Sequence, residues 1–385
     1  MDKLIIVGAG LSGATLARLF ADGGKDVTVV DKRATIGGNA YDYVDKNGIR
    51  VQPYGPHIFH TKEKEVFDFL SKFTEWNAYE HKVLANVKGK LVPVPFNLTS
   101  LYACFPKAKA DRIKKILTEE IGVDKHVPSL QLKQHENAEI REFAHFVYNN
   151  IFYKYTKKQW KMKPEDLGNA VMDRVPVYVS YEDRYFTDEY QFMPKNGFSE
   201  MITNMLRHPH IRLKLNTDAA GVLSFKDGKI YLEGKEFNGV VVYTGRVEEI
   251  FGYSFGALPY RTLKFKVKTF NRSSFQNAAV VNYTTSHRFT RITEFTKFTC
   301  GAKDKTVIVK EYPKKCKKSD MPYYPIPTEK NCAQYEKYAA EAAKYKNLYL
   351  LGRLANYKYI NMDIAVLNAM KMFDKINEEY VFDEE

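Results

Sequence analysis

Cysteine is scarce in this chain of 385 residues: Cys104, Cys300, Cys316 and Cys332 are widely spaced, and no C-x-x-C pair occurs. No Cys/His cluster has metal-ligand spacing either, which argues against a structural metal site or a dithiol redox centre. Four reduced thiols in a cytoplasmic protein is the reading this composition supports. Long apolar runs are missing as well. None approaches the roughly 20 residues needed to cross a bilayer, so no membrane span is expected. The apolar start is broken by Gly8, Gly10 and Gly13 and is followed by no small-residue cleavage site, so it reads as a core strand, not a signal peptide. There is no Ser-His-Asp order with a nucleophile elbow, and no paired carboxylates stand out. Internal repeats and low-complexity segments are absent.

Charge is not scarce. The net charge is +13. Lysines bunch at Lys107–Lys115 and Lys314–Lys318, but no nucleic-acid motif accompanies them, so no nucleic acid is expected as a partner. Solvated lysine faces account for the excess, with an anionic substrate as the second reading. The apolar share, 44%, is that of a globular protein with a sizeable core, and the length suggests two or three domains.

The most informative segment is the first. Residues Ile5-Ile6-Val7-Gly8-Ala9-Gly10-Leu11-Ser12-Gly13 read as strand, glycine turn and helix start, and a second strand, Val27 to Val30, ends on Asp31. This order fits a dinucleotide fingerprint, in which a pyrophosphate reaches the helix amides and the carboxylate takes a ribose hydroxyl. Gly37 and Gly38 follow closely, then Asn39. A Gly-Gly pair just past the ribose acid resembles FAD/NAD-linked flavoproteins, which favours FAD over NAD.

Farther along, Lys82 to Val94 reads as two strands around a Lys-Gly turn, and "VLSFKDGKIYLEG" as a hairpin on Asp227-Gly228. Between about Leu98 and Leu167 the period becomes helical, with Ile113, Ile116, Leu117 and Ile121 on one face and Ile140, Phe143, Ala144, Val147 and Ile151 on another. Strands resume at "EFNGVVVYTG", "YRTLKFKVKTF", "AAVVNYTT", "FTRITEFTKF" and "TVIVKEYP", the last four alternating like antiparallel strands. Strand "LYLLG" returns to the first sheet, and the helix after it aims its amino end at the cofactor crevice.

Three constellations suggest chemistry. Phe152 to Trp160 ("FYKYTKKQW") is dense in aromatics and polar groups, which suits a flat nucleobase; a Tyr/Trp packing seam is the alternative. Arg174, Arg291 and Arg353 sit beside loops or strand ends, where guanidinium forks take phosphate oxygens in pairs. Tyr185, Tyr323, Tyr324 and Tyr359 offer hydroxyls for the same diphosphate, and His57 and His60 follow the flavin segment.

These segments together resemble the bacterial UDP-galactopyranose mutases. The likeness runs through "VGAGLSGA", "IGGNAYD", "YGPHIFHT", "YTKKQW", "DRVPV", "YRTL", "TRITE", "KEYP", "PYYPIP" and "GRLANYKYINMD", nearly the whole chain. The resemblance implies an α/β protein: a Rossmann-like FAD-binding domain with an inserted helical domain and a twisted antiparallel β-sheet domain, in a cytoplasmic homodimer. The FAD domain then comprises 1–77, 198–245 and 345–385; the antiparallel sheet 78–97, 173–197 and 246–344; the helical domain 98–172, with a mobile loop near 167–177. The implied reaction interconverts UDP-galactopyranose and UDP-galactofuranose for cell-surface polysaccharide biosynthesis. Reduced FAD acts through N5 as nucleophile on the anomeric carbon, with no net redox.

The resemblance also implies roles. Tyr155 stacks on uracil, with Phe152, Thr156, Gln159 and Trp160 around the uridine. Arg174 and Arg291 act catalytically on the diphosphate, Tyr185, Tyr324 and Tyr359 hydrogen-bond it, and His57 lies near the flavin. Gly8, Gly10, Gly13, Asp31, Gly37, Gly38, Asn39, Arg353, Met362 and Asp363 bind FAD. His81 and Asn361 stand beside the sugar, where many members have Asn and Asp; Ile151 replaces an aromatic residue. The first two departures leave the exact hexose open, galactose or N-acetylgalactosamine. Two other classes stay open on the residues: an FAD-dependent oxidoreductase of the amine-oxidase type, and a nucleotide-sugar binding protein that keeps FAD as a structural part.

Overall fold

The computed structural model describes residues 4–163, 176–298 and 304–382. Arg174, Cys300 and the 167–175 part of the expected loop lie outside the described residues.

Five strands form a parallel sheet in the order Ile211–Lys214, Val27–Val30, Leu4–Val7, Val240–Tyr243, Leu348–Leu350. The runs LIIV, VTVV and VVVY are buried at every position, because central parallel strands are covered on both faces. Strand order reverses at Leu4–Val7, and a crevice at the carboxyl ends follows from that switch. The helices Leu11–Asp22 and Met362–Glu379 pack together over one face, with the Phe20 and Phe373 rings edge-on at 4.8 Å. The return of "LYLLG" to this sheet is as the sequence suggested.

The second sheet has seven strands: Tyr324–Pro325, Tyr260–Phe270, Thr306–Lys315, Arg291–Glu294, Val280–Tyr283, Val83–Val87 and Lys90–Val94. Its neighbours are antiparallel except for Val280–Tyr283 and Val83–Val87, which run parallel. Those two strands come from distant parts of the chain, so no hairpin dictates their direction. Both predicted hairpins close on two-residue turns with positive φ, Lys88 (52°)–Gly89 (90°) and Asp227 (52°)–Gly228 (73°), which match the right-handed twist of the flanking strands.

The 173–197 stretch departs from expectation. Its described strands do not join the seven-stranded sheet: Pro176–Tyr178 pairs with His126–Pro128, and Tyr190–Pro194 lies between Phe59–Thr61 and Trp76–Ala78. A strand's alternation reports its buried face but not its partner.

The helical section is real, with helices Leu98–Cys104, Lys107–Glu120 and Ala138–Val147. Asn97 and Asn137 cap two of them by accepting amide hydrogen bonds. After Val147 the helix widens into a π-helical stretch, Tyr148–Tyr153, before resuming as Lys154–Trp160. Such wide turns are rare and shift the side chains that follow. The simple 3.6-residue period read from the sequence missed it.

Candidate functional site

Strand Leu4–Val7 ends on Gly8, where φ is 113° and a Cβ would lie 2.0 Å from Thr244 Oγ1, so no side chain fits there. The helix that follows presses against this turn: a Cβ on Gly13 would sit 1.9 Å from Gly8 O. The Gly37-Gly38 loop folds back onto it, with Gly37 N donating to Ala9 O at 2.8 Å. Gly38 and Gly10 pass so closely that a Cβ on Gly38 would stand 3.1 Å from Gly10 Cα. Asp31 is buried, its two oxygens accepting from Ala9 N (2.9 Å) and Arg33 N (2.8 Å).

These loops floor a cleft of about 640 Å³, which Asn39, His57, Arg353, Asn361 and Met362 also line. Leu11 and Ser12 at the start of one helix and Met362 at the start of another open on it, so two sets of unpaired amides and two positive dipole ends meet there. Arg33, on the same wall, has a buried Nη1 without a partner, and Asp363, buried in the first turn of the Met362–Glu379 helix, has an unpartnered Oδ1. A cradle that excludes a Cβ at Gly8 and Gly13, two helix amino ends and an orphaned guanidinium nitrogen fit a dinucleotide pyrophosphate.

Beside this cleft stands a cluster built around Arg291. Its Nε donates to Glu311 Oε1 at 2.5 Å across directly paired strands. Burial works against the Arg291 charge, but Glu311, Tyr155 and Tyr324 outweigh it and hold the guanidinium protonated. Burial pushes Glu311 up, and Arg291 opposes that rise and keeps the carboxylate paired. Tyr155 is pushed up by burial, then pulled back by Arg291, with Tyr324 and Tyr185 close enough to contribute. Tyr324, pushed up to about 12 chiefly by burial, stacks on Tyr359 at 5.8 Å and lies 6.0 Å from the Trp160 ring. Arg353 lies over the Tyr359 ring at 4.8 Å and donates to Ile360 O at 2.6 Å. It thereby joins the tyrosines to the cleft it also lines. Burial keeps the Tyr155 and Tyr324 phenols protonated, so both can serve as donors.

The two histidines differ from ordinary surface histidines. His57 is lowered to about 4, first by burial and then by Arg353 and Arg291. Its Nδ1 lies 2.9 Å from Gly55 O, so with Nδ1 as donor, Nε2 carries the lone pair. His81 is 4% exposed and is lowered to about 3 by burial, with Arg291 and His60 adding to it. The rings of Tyr79, Tyr185, Phe186 and Phe298 surround it within 6.0 Å. Both imidazoles are neutral at pH 7.

The Lys154–Trp160 helix follows the π-helical stretch directly. It buries Thr156 and Trp160 and leaves Tyr155 half-buried, while Phe152 is buried in the stretch before it. Gln159 has a buried Oε1 without a partner, and its carbonyl accepts from Arg261 Nε at 3.1 Å. Lys158 pins the helix: Nζ donates to the carbonyls of Tyr283, at the end of its strand, and of Ser286 (2.7 Å) and Phe289 (3.4 Å) in the loop that leads into Arg291.

The structure thus brings His57, Tyr155, Tyr324, Arg353 and Arg291 together from five segments, with Tyr185 and Tyr359 at the same cluster. The sequence reading passed over Glu311, Lys158 and Asn282. Asn282 lies directly opposite Arg291 in the sheet with a buried, unpartnered Oδ1. Glu311 sits in "KEYP", a segment that carried a resemblance but no role, and only strand register reveals its partner.

A family model described as UDP-galactopyranose mutase matches residues 150–359, and one described as an NAD(P)-binding Rossmann-like domain matches 6–73. The chain is 34% identical to the dTDP-fucopyranose mutase of Escherichia coli, over 98% of this chain and 100% of that one. It is 35% identical to the UDP-galactopyranose mutase of Mycoplasma genitalium, over 96% and 93%. The fold is similar to a crystal structure of reduced UDP-galactopyranose mutase, with a TM-score of 0.73 at 16% identity, over 98% of this chain and 94% of that one.

Proposed function

This chain belongs to the UDP-galactopyranose mutase family, whose members are flavin-dependent isomerases, and we propose that it interconverts UDP-galactopyranose and UDP-galactofuranose with reduced FAD in the glycine-lined cleft. The observation that carries this reading is the Arg291–Glu311 pair inside a ring of tyrosines beside that cleft. A clamp for an anionic leaving group serves an isomerase that detaches and returns a nucleotide. A flavin oxidase has no use for one.

When bound, the reduced flavin supplies the nucleophile for the anomeric carbon. The chain's own residues do the rest. The two glycine loops, Asp31, Asn39, Arg353, Met362 and Asp363 hold the dinucleotide. Tyr155 offers its face to the uracil, with Phe152, Thr156, Gln159 and Trp160 enclosing the uridine. Arg291 meets the diphosphate as its charge grows, with Arg174 as the second fork and Tyr185, Tyr324 and Tyr359 donating hydroxyls. Holding the detached diphosphate makes its return intramolecular. Neutral His57 offers an acceptor at Nε2 next to the cleft without adding charge beside Arg291 and Arg353.

Reading the domains as FAD-binding (1–77, 198–245, 345–385), sheet and helical units, in a cytoplasmic homodimer, completes the proposal. The sugar is its finer part. His81 is buried in an aromatic box and Asn361 lines the flavin cleft. Asn361, unlike Asp, both donates and accepts, which suits an N-acetyl carbonyl. The Escherichia coli relative gives a second reading, a dTDP-linked substrate.

The test is direct. Protein reduced with dithionite is incubated with UDP-galactose, UDP-N-acetylgalactosamine or dTDP-fucose, and furanose isomers are separated by chromatography. Isomerisation only after reduction is expected, fastest with UDP-galactose. Hydrogen peroxide formed in proportion to substrate consumed would instead mark an oxidase.

A further inference from the structure

The net charge of +13 is not spread over the molecule: residues 251–320 hold fifteen Lys and Arg against four Asp and Glu, a balance of +11. Three of those four acids are committed. Glu294 is buried and accepts from the amides of Phe275 and Gln276, Glu311 holds Arg291, and Asp320 pairs with Lys314. Only Asp304 is left to offset the rest.

Strand register sorts these charges by face. In Tyr260–Phe270, Phe265 points toward the site, packing on Tyr323, and is paired with Glu311. The alternate residues Lys264, Lys266 and Lys268 therefore stand on the outer face, opposite Tyr312, Lys310 and Ile308. Arg272 and Arg288 extend this face from the adjoining loops. Among the described residues, none of these six cations has a carboxylate within ion-pair distance; several lie over aromatic rings instead. Lys310 covers Phe289 at 5.0 Å, Lys266 covers Tyr312 at 5.2 Å, and Arg272 covers Phe275 at 4.4 Å.

We propose that this outer face of the seven-stranded sheet docks the enzyme on an anionic lipid surface. A sheet face lined mostly with lysine point charges matches a diffuse layer of negative headgroups, whereas defined phosphates select arginine forks. The rings lie beneath the ammonium groups and offer no stacking platform to nucleic-acid bases. Guarding a free sheet edge explains lysines on Tyr260–Phe270, which beyond Arg261 is paired on one side only among the described residues. It does not explain Lys310 on an interior strand, or Arg272 and Arg288 in loops.

The experiment is co-sedimentation of the whole protein with phosphatidylglycerol/phosphatidylcholine vesicles and with phosphatidylcholine vesicles alone, at low and high salt. Capture by the anionic vesicles only, abolished by salt, is expected. A variant carrying Lys264→Glu, Lys266→Glu, Lys268→Glu and Lys310→Glu should bind at least roughly fivefold more weakly per lysine, several hundredfold in all. Its flavin content and turnover with soluble substrate should be unchanged. If the Glu variant fails to fold, the four Lys→Gln changes decide the same point. No capture at low salt, or equal capture of a folded variant, overturns the proposal. So does tighter binding of a single-stranded oligonucleotide through the same lysines, or a dimer that dissociates in the variant, which would make the face a subunit interface.

Discussion

Glu311 holds Arg291 from the directly opposite position on the neighbouring strand, Oε1 to Nε at 2.5 Å. The carboxylate is 2% exposed, so the guanidinium is anchored from inside the protein, through Nε alone among the described residues.

Replacing Glu311 with Gln keeps the side chain's size but removes the charge that fixes Arg291. A charge-assisted hydrogen bond is worth about 1.5–3 kcal/mol, so turnover should fall at least roughly tenfold. Flavin content should stay normal. Steady-state rates near wild type would show that Arg291 does not depend on this anchor.

Lys158 makes a second prediction. Three backbone carbonyls receive its ammonium group, tying the Tyr155 helix to the loop before Arg291. Burial lowers it to about 8, yet it remains mostly charged at pH 7. In Lys158→Met those carbonyls lose their donor and the helix can drift from Arg291. Nucleotide affinity should weaken about tenfold, one to two kcal/mol, with a smaller change in kcat. Calorimetric titration with UDP measures it; an unchanged Kd would leave Lys158 no positioning role.

The glycine cradle is tight at Gly13 and, with a left-handed φ of 57°, at Gly38. Gly13→Val and Gly38→Val should each be purified without flavin, because a Cβ would meet Gly8 O at 1.9 Å or Gly10 Cα at 3.1 Å. Absorbance and cofactor release after heating report the occupancy. Full flavin content in Gly38→Val would mean that the second loop does not seal the pyrophosphate.

Stability should depend on His81. Its pKa falls from 6.5 to about 3 in the folded chain, mainly through burial. Below pH 6.5 the unfolded chain takes up a proton that the native state refuses. Stability is therefore full above that pH and declines as pH falls toward 3, by up to about 1.4 kcal/mol per unit. Denaturant titrations at pH 7 and pH 5 should show a smaller difference for His81→Asn than for wild type. Equal slopes would mean that the imidazole is not buried neutral.

Much of the fold was legible because its signals are local. A glycine turn between an apolar strand and a helix, and Lys-Gly and Asp-Gly turns between alternating strands, act through neighbouring residues. The widened turn at Tyr148–Tyr153 was not legible, because the residues that induce it carry an ordinary amphipathic pattern up to Ile151. Nor was the placement of Tyr190–Pro194 between Phe59–Thr61 and Trp76–Ala78, since backbone hydrogen bonding accepts any edge that the alternation allows.

By itself the sequence determined the dinucleotide turn, the buried runs of the first sheet, the aromatic helix and the likeness to a nucleotide-sugar mutase. Tertiary structure decided what those residues meet. Register put Glu311 against Arg291, and long-range packing brought His57 and Arg353 beside that pair. Pleating sent Lys264, Lys266 and Lys268 to the face opposite the site. Distances in the chain say nothing of such encounters: they depend on which strands lie side by side, and that is set by the whole core.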